Sequence, residues 1–314
     1  MRDIVVFSGS AHPELAAEVS LHLGVPLSPV RTSRFANDCL EVQLQDNCRE
    51  RDVFLIQPLV NPVQENLVEL LLMLDAARGA SAARTTVVMP HYAYARSDKK
   101  DAPRISIGGR LIADVLVAAG ASRFLAMTLH SPQVHGFFSV PVDHLHALRE
   151  LAGYFNRYDL SNTTVVSPDL GNAKEAAAFA RLLGTSVAAG AKQRFADDRV
   201  TISSVIGEVA GRDIIVLDDE IAKGSTVMVL LARLRELGAR SVRIACTHGL
   251  FSAGALKRLS DQPDVLEIVC TNTVPIPAEK RTDKLQVISI APALAEAVRR
   301  IHNGESVSAL FDTP

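Results

Sequence analysis

Residues 214–237 read IIVLDDEIAKGSTVMVLLARLREL, and this stretch decides the fold class. It opens with an apolar run typical of a strand buried on both faces and then reaches two acidic residues, Asp218 and Asp219. A short loop around Gly224 follows. Apolar residues then repeat at the helical spacing: Val227, Leu230, Leu231 and Leu234. The stretch predicts a strand, a tight loop and an amphipathic helix, the repeating unit of a parallel α/β sheet.

Similar apolar runs, rich in valine and isoleucine, recur along the chain. They are IVVF (4–7), VFLI (53–56), TVVM (86–89), FLAMT (124–128), TVVS (164–167), VRIACT (242–247), LEIVC (266–270) and QVISI (286–290). Between them, helical patterns precede a glycine in 67–79 and 112–120. This alternation predicts an α/β fold with mostly parallel sheets flanked by helices. The strands are too many for one comfortable sheet, so we expect two, with the break within 139–162.

Composition excludes several classes of function. Lys plus Arg number 33 and Asp plus Glu 35, so the net charge of -2 offers no basic excess for a nucleic acid or an anionic membrane. The apolar stretches are short and broken by charges, which predicts no membrane span. The cysteines lack CxxC spacing, and we expect reduced thiols in a cytoplasmic protein. They are Cys39, Cys48, Cys246 and Cys270.

The loop between the strand and the helix of 214–237 is a candidate phosphate site. In open parallel sheets, ligands bind at the carboxyl ends of strands. Backbone N–H groups at a helix start suit a phosphate, and the Asp218 and Asp219 carboxylates suit ribose hydroxyls or a metal. The alternative is a capped helix beside two solvated acids, which explains the paired acids poorly. The order Lys-Gly-Ser-Thr is not a Walker A loop.

Two basic segments are candidate ligands for polyphosphates. In PHYAYARSDKKDAPR (90–104), the cations cluster after a predicted strand, where arginine can bind phosphate with two hydrogen bonds. In AGAKQRFADDRV (189–200), Lys192 and Arg194 lie two residues apart, as in a mobile basic loop that closes over a charged transition state. Taken alone, the first segment is equally compatible with a solvated surface loop, and the second fits one better.

A histidine and a carboxylate form a further candidate site. His130 and Asp169 each lie near the end of a predicted strand, and such a pair can share one divalent cation. A lone histidine is more often structural, and we interpret the remaining candidate histidines that way. They are His91, His135, His144, His146 and His248.

Taken together, these segments resemble the ribose-phosphate pyrophosphokinase family, also called phosphoribosyl pyrophosphate synthetases. The resemblance covers nearly the whole chain through collinear segments. They are FSGSAHPELA (7–16), RFAND (34–38), ENLVELLLMLDAAR (65–78), YARSDKK (94–100), HSPQVHGFFSVPVDHL (130–145), VVSPDLG (165–171), the 214–226 loop and APALAEAVRRIHNGESVSALF (291–311).

The resemblance implies two phosphoribosyltransferase-like α/β domains: 1–145 on the ATP side and 146–314 on the ribose 5-phosphate side. Roughly the last 12 residues would be able to pack back on the first domain. It also implies transfer of the diphosphoryl group of MgATP to O1 of ribose 5-phosphate, releasing AMP, with Mg²⁺ as the cofactor. The family further implies a homohexamer whose sites span subunits, without a nucleic acid or membrane partner.

Residue by residue, the family's motifs imply an ATP site and a metal site. Phe35 and Asn37 match the loop that receives adenine, supplied by a neighbouring subunit. Arg96 matches the ATP phosphate ligand, and Ser97 follows it in the same loop. The magnesium-associated positions are His130 and Asp169.

The motifs also imply a ribose 5-phosphate site and catalytic cations. Asp218 and Asp219 match the acids near the ribose. Lys192 and Arg194 match the catalytic flexible loop, and Arg194 is also implied to bind ribose 5-phosphate. The 5-phosphate loop is matched by Ala222, Lys223, Gly224, Ser225 and Thr226.

The chain departs from the family's pattern at several site positions. Cys39 stands where the family commonly has a glutamate, Thr128 replaces an aspartate, and Asn172 replaces a glycine. Residues 222–225 alter the usual Asp-Thr-Ala-Gly-Thr loop, although Thr226 remains. We expect Lys223 to offset the lost carboxylate by adding a cation beside the phosphate.

Two alternatives to an active synthetase remain. A non-catalytic regulatory homologue that binds an active synthetase would show substitutions at signature sites, but the retained Lys192, Arg194 and Arg96 argue against it. A phosphoribosyltransferase that consumes the product is opposed by the two-block length and by the 65–145 segment.

Overall fold

Helices and strands alternate along the residues that the computed structural model describes, 3–194 and 200–311. The helices are α1 (Pro13–Leu23), α2 (Val63–Gly79), α3 (Gly108–Ala119), α4 (Leu148–Phe155), α5 (Ala173–Leu183), α6 (Ser225–Glu236), α7 (Ala255–Ser260), α8 (Ala291–Asn303) and α9 (Ser308–Phe311). The strands are β1 (Ile4–Ser8), β2 (Leu27–Ser28), β3 (Val30–Arg34), β4 (Leu40–Leu44), β5 (Asp52–Ile56), β6 (Arg84–Met89), β7 (Arg123–Met127), β8 (Val142–Leu145), β9 (Thr163–Ser167), β10 (Ser186–Arg194), β11 (Val200–Ile206), β12 (Asp213–Ile221), β13 (Ser241–Gly249), β14 (Val265–Thr271) and β15 (Leu285–Ile288).

The described residues divide into two compact units. The first unit comprises 3–146, 273–275 and 289–311, and the second comprises 147–194, 200–272 and 276–288. The predicted second domain, 146–314, differs from the second unit at the C-terminus, because all of 289–311 belongs to the first unit rather than only the last residues. The physical reason is that α8 packs along α1, which follows the first strand.

The first unit is built on a parallel sheet with the strand order β2-β1-β5-β6-β7-β8. The apolar runs at 4–7, 53–56, 86–89 and 124–128 form its central strands, as predicted. The leucine stripe of α2 is also confirmed, because Leu67, Leu70 and Leu74 are buried in the core on one face of the sheet. A separate antiparallel hairpin, β3–β4, carries the tip residues 35–39.

The second unit is built on a sheet with the strand order β11-β10-β9-β12-β13-β14-β15, which is parallel except for the β10–β11 pair. Its central strands contain buried apolar runs because helices cover both faces. Val216 and Ile244 pack against α6 residues such as Leu230, whereas Ile215 packs in the cluster that contains Phe179 of α5. Because its central strands are parallel, their carboxyl ends share one edge, where Asp169, the two acids Asp218 and Asp219 and the 222–226 segment lie.

The predicted α/β class with two mostly parallel sheets is confirmed. No helix among residues 3–194 and 200–311 is long and apolar enough to cross a membrane.

Candidate functional site

The loop between β12 and α6 presents backbone N–H groups at a helix start. Gly224 precedes the helix with φ 70°, a left-handed conformation that glycine adopts without steric cost. The first N–H groups of a helix have no partner inside it, and the helix dipole places partial positive charge there. Across the part of the chain that the structure describes, no hydrogen-bond partner is observed for the N–H groups of Gly224, Ser225 and Thr226. This arrangement suits an anion such as a phosphate.

The acids before this loop lie in the last part of β12, where the sequence predicted the strand to end. β12 continues to Ile221 because Asp218 pairs with Cys246 of β13 and Glu220 pairs with His248. Asp218 Oδ1 accepts a hydrogen bond from the Asp219 N–H at 3.0 Å. Both acidic side chains are only partly buried, so their oxygens can reach a ligand at this edge of the sheet.

A lysine and an aspartate from neighbouring strand ends form an ion pair in the second unit. Lys192 of β10 places its Nζ 3.3 Å from Asp169 Oδ2, in the loop after β9. The other carboxylate oxygen, Asp169 Oδ1, accepts a hydrogen bond from the Asn172 N–H at 3.2 Å. The Lys192 side chain is 14% exposed, so the pair is more strongly shielded from water than a surface ion pair.

The interpretation of 189–200 as a loop was wrong for residues 189–194, which form the end of β10. These residues pair with β11 as an antiparallel hairpin, with a register shift between Ala191 and Lys192. The strand extends because Ala189 and Ile202 are buried against the sheet. Arg194 belongs to β10, and its side chain is not among the described ones. The expected mobility of the segment concerns residues 195–199, which lie outside the described residues.

The hairpin β3–β4 of the first unit exposes the candidate adenine-binding residues at its tip. The Phe35 ring is 54% exposed, and Asn37 Oδ1 accepts a hydrogen bond from the Cys39 N–H at 3.3 Å. Arg34 stabilises the tip by donating to Asp38 Oδ1 at 2.6 Å and to Glu65 Oε2 of α2 at 2.5 Å. The hydrogen bond to Asp38 is the main cause of a raised pKa for Arg34.

A buried carboxylate at the base of this hairpin was missed by the sequence analysis. Glu69 of α2 is 3% exposed and accepts hydrogen bonds from the Ser10 N–H at 2.9 Å, the Ser10 hydroxyl at 2.5 Å and the Thr32 hydroxyl at 2.8 Å. Gln57 Nε2 donates to the same carboxylate at 2.7 Å. A Cβ at Gly9 would collide with the Gln57 side chain, so the Phe-Ser-Gly-Ser motif requires glycine there. The sequence analysis missed Glu69 because this residue lies beside the buried leucines of α2 and looks like one polar position of an amphipathic helix.

The structure places the other candidates of the first unit on separate loops. Arg96 is exposed at the end of the short helix Ala93–Arg96. Ser97 uses its hydroxyl to accept the Gly108 N–H at 2.9 Å, so it stabilises the start of α3. His130 is exposed after β7 and lies in the first unit, whereas Asp169 lies in the second. The departure at Thr128 is buried and has φ 41°.

The residues that the structure describes contain no group of three or more histidine, cysteine or acidic side chains able to hold a metal ion. The candidate site around Asp169 therefore does not fit a metal ion held by protein ligands alone. It fits Mg²⁺, which keeps several waters and binds through one or two carboxylates together with substrate phosphates. Asp169 offers such a carboxylate at a strand end, and its partner Lys192 is a cation that a metal could replace.

Comparisons with known proteins agree along the whole chain. Residues 4–120 match the N-terminal domain of ribose phosphate pyrophosphokinase, and residues 199–312 match the phosphoribosyl synthetase-associated domain. A putative ribose-phosphate pyrophosphokinase of Streptomyces coelicolor is 83% identical over 99% of this chain and 98% of its own length. The ribose-phosphate pyrophosphokinase of Deinococcus radiodurans is 46% identical over 98% of both chains.

A solved structure is similar over nearly the same length. The crystal structure of phosphoribosylpyrophosphate synthetase from Mycobacterium smegmatis superimposes with a TM-score of 0.90 at 39% identity. The match covers 96% of this chain and 100% of that one. Sequence and fold therefore point to the same set of relatives.

Proposed function

This chain belongs to the ribose-phosphate pyrophosphokinase family of diphosphokinases, and we propose that it transfers the diphosphoryl group of MgATP to O1 of ribose 5-phosphate. The products are 5-phosphoribosyl 1-diphosphate and AMP. The bond between the β-phosphorus of ATP and the oxygen that bridges it to the α-phosphorus breaks, and that oxygen leaves with AMP. The β-phosphorus forms a new bond to the O1 oxygen of the sugar. The O1 proton leaves with this step.

Ribose 5-phosphate would bind at the carboxyl edge of the second unit's sheet. The 5-phosphate would accept hydrogen bonds from the N–H groups of 224–226 and from the Thr226 hydroxyl, with the Lys223 ammonium beside it. The Asp218 and Asp219 carboxylates would accept hydrogen bonds from the ribose hydroxyls. The phosphate takes no part in the reaction, so its binding energy would serve to position O1 for attack.

ATP would bind to residues of the first unit. Phe35 offers an exposed ring that can stack on adenine, and Asn37 offers an amide that can hydrogen-bond to the base. Arg96 would bind the phosphates with its guanidinium fork. Ser97 is better supported as the residue that holds the start of α3 next to Arg96, because its hydroxyl already accepts the Gly108 N–H.

Lys192 and Arg194 would neutralise the charge that develops during the transfer. Phosphoryl chemistry of this kind depends on positioning and electrostatic stabilisation more than on covalent catalysis. Mg²⁺, when bound with ATP, supplies further charge neutralisation on the phosphate oxygens. Asp169 would hold it through its carboxylate, and the metal-associated role that the family's motif implies for His130 stays a prediction.

The observation that carries the proposal is the Lys192–Asp169 pair. A cation and a metal-binding carboxylate 3.3 Å apart at a sheet's carboxyl edge can act on one polyphosphate group, one directly and one through Mg²⁺. A solvated surface loop does not account for a lysine that is only 14% exposed.

Incubation of the chain alone with MgATP and ribose 5-phosphate tests the proposal. We expect AMP to appear in proportion to enzyme and to require both ribose 5-phosphate and Mg²⁺. A chain that forms AMP only after an active synthetase is added would instead be the regulatory homologue. We further propose a homohexamer in the cytoplasm; the four free cysteines are compatible with a reducing compartment.

A further inference from the structure

The segment that follows β13 contacts the candidate 5-phosphate loop on both sides of Ala222. The Phe251 N–H donates a hydrogen bond to the Ile221 carbonyl at 3.0 Å. Arg258, on α7, donates from Nη2 to the Lys223 carbonyl at 2.8 Å and from Nη1 to the Ala253 carbonyl. One guanidinium therefore links the candidate phosphate loop to the segment beside it.

The bond from Arg258 fixes the direction of an N–H group that the phosphate would use. The carbonyl of Lys223 and the N–H of Gly224 belong to one planar peptide unit, and in a trans unit they point in opposite directions. Because Arg258 holds the carbonyl on its own side, the Gly224 N–H must point away from Arg258. Gly224 has φ 70° and lacks a side chain, so its backbone would otherwise be free to rotate.

The segment that Arg258 holds adopts an unusual backbone conformation. Phe251 has φ 42° and Ala253 has φ 49°, both left-handed values that side chains other than glycine disfavour. Such conformations persist only where surrounding contacts impose them. Here the contacts are the Phe251 N–H bond to β12 and the Arg258 bond to Ala253, which both involve the neighbourhood of the phosphate loop.

We propose that Arg258 is a positioning residue for ribose 5-phosphate, acting through the Lys223–Gly224 peptide without touching the substrate. The inference rests on the proposed function of 222–226 as the 5-phosphate loop. Arg258 is exposed and lies on the surface helix α7, so its removal should leave the core of the second unit unchanged.

Calorimetric titration of three variants with ribose 5-phosphate and, separately, with MgATP tests the proposal. Arg258→Ala should weaken ribose 5-phosphate binding by about 3- to 10-fold, the size of one ordinary hydrogen bond because Arg258 acts indirectly, and leave MgATP binding within about twofold. Arg258→Lys should lie between, because an ammonium lacks the planar fork that reaches both carbonyls. Lys257→Ala is the matched control, since Lys257 is exposed on the same helix and pairs with Asp261 instead.

Kinetics and chemical rescue separate positioning from a structural role. In Arg258→Ala, KM for ribose 5-phosphate should rise while kcat stays close to that of the unsubstituted chain, and added methylguanidinium should lower KM again. Equal ribose 5-phosphate affinity in Arg258→Ala and Lys257→Ala would overturn the inference and leave the proposed function intact. If the unsubstituted chain itself fails to bind ribose 5-phosphate, the proposed function fails and the inference fails with it.

Discussion

Lys192 is the single residue on which the proposed chemistry depends most. Its ammonium lies 3.3 Å from Asp169 and would contact phosphoryl oxygens mainly in the transition state. We expect Lys192→Ala to lower kcat by about 10²–10³-fold with little change in either KM, as for removal of one preorganised electrostatic contact. Steady-state rates of AMP formation, measured against MgATP and against ribose 5-phosphate, give kcat and the two KM values. Lys174→Ala, an exposed lysine on α5, is the control. A near-normal kcat in Lys192→Ala would favour the regulatory homologue.

Asp169 governs the predicted requirement for metal. Asp169→Asn keeps an oxygen near Lys192 and Asn172 but removes the charge that attracts Mg²⁺. We expect the free Mg²⁺ concentration for half-maximal rate to rise at least about tenfold. Initial rates measured against free Mg²⁺ at saturating ATP give this value, and Asp261→Asn is the control. An unchanged Mg²⁺ requirement in Asp169→Asn, or full activity in excess chelator, would contradict the metal assignment.

At the scale of elements, Glu69 connects α2 to the β1 end and to the β3–β4 hairpin. Its carboxylate accepts four hydrogen bonds while 3% exposed, so Glu69→Ala would remove all four and leave the buried Gln57 amide without this acceptor. We expect the free energy of unfolding to fall by about 3 kcal/mol and KM for ATP to rise because the hairpin loses its anchor. Urea unfolding and ATP kinetics measure these effects. Glu65→Ala, which removes an exposed pair with Arg34, should change stability by less than about 1 kcal/mol.

The ion pairs of Glu296 on α8 should make the stability of the fold depend on pH in the acid range. Hydrogen bonds from Arg299 and then Arg300 lower the pKa of Glu296 from 4.5 to about 2. The folded pKa lies below the unfolded one, so the carboxylate stabilises the fold above pH 4.5 and loses this effect as the pH falls towards 2. Glu296→Gln should therefore lower Tm at pH 7, and the difference from the unsubstituted chain should shrink between pH 4.5 and pH 3.

Thermal unfolding at several pH values checks this dependence. Glu236→Gln serves as the control, because Glu236 forms a comparable helical pair with Arg233. A Tm difference for Glu296→Gln that stays constant from pH 7 to pH 3 would contradict the assignment.

Elements with a strong apolar period were predictable from the sequence, and polar or edge elements were not. Strands such as β5 and β9 are buried along their whole length, so each contains a recognisable run of apolar and β-branched residues. β3 reads Val-Arg-Thr-Ser-Arg and faces water along much of its length, so it left no such signal. β10 was not predicted, because it lacks a run of large apolar residues and its pairing with β11 depends on tertiary contacts.

The site was predictable to the extent that it follows motifs. The strand, loop and helix of 214–237 could be read from residue types, whereas individual roles in the ATP site came from the family resemblance. Arg258 and Glu69 carried no local pattern. Arg258 acts on Lys223 from a position 35 residues later in the chain, and only the fold brings the two together.

At the scale of the whole molecule, we propose that each α/β unit binds one of the two substrates. The first unit carries Phe35, Asn37 and Arg96, and the second carries Lys192 and the 222–226 loop. The C-terminal segment 289–311 belongs to the first unit, where His302 Nδ1 lies 2.8 Å from the buried Asp52. Helix α8 thereby contributes to the unit proposed to bind ATP.

The fate of the β-phosphorus tests the central claim most directly. The chain should be incubated with Mg²⁺, ribose 5-phosphate and ATP labelled with ³²P at the β position, or separately at the α position. The account predicts that the β label moves into the sugar diphosphate, that the α label is recovered in AMP, and that no labelled ADP forms. Recovery of the β label in ADP would show transfer of a single phosphoryl group, and recovery of both labels in unchanged ATP would show an inactive chain; either result would contradict the account.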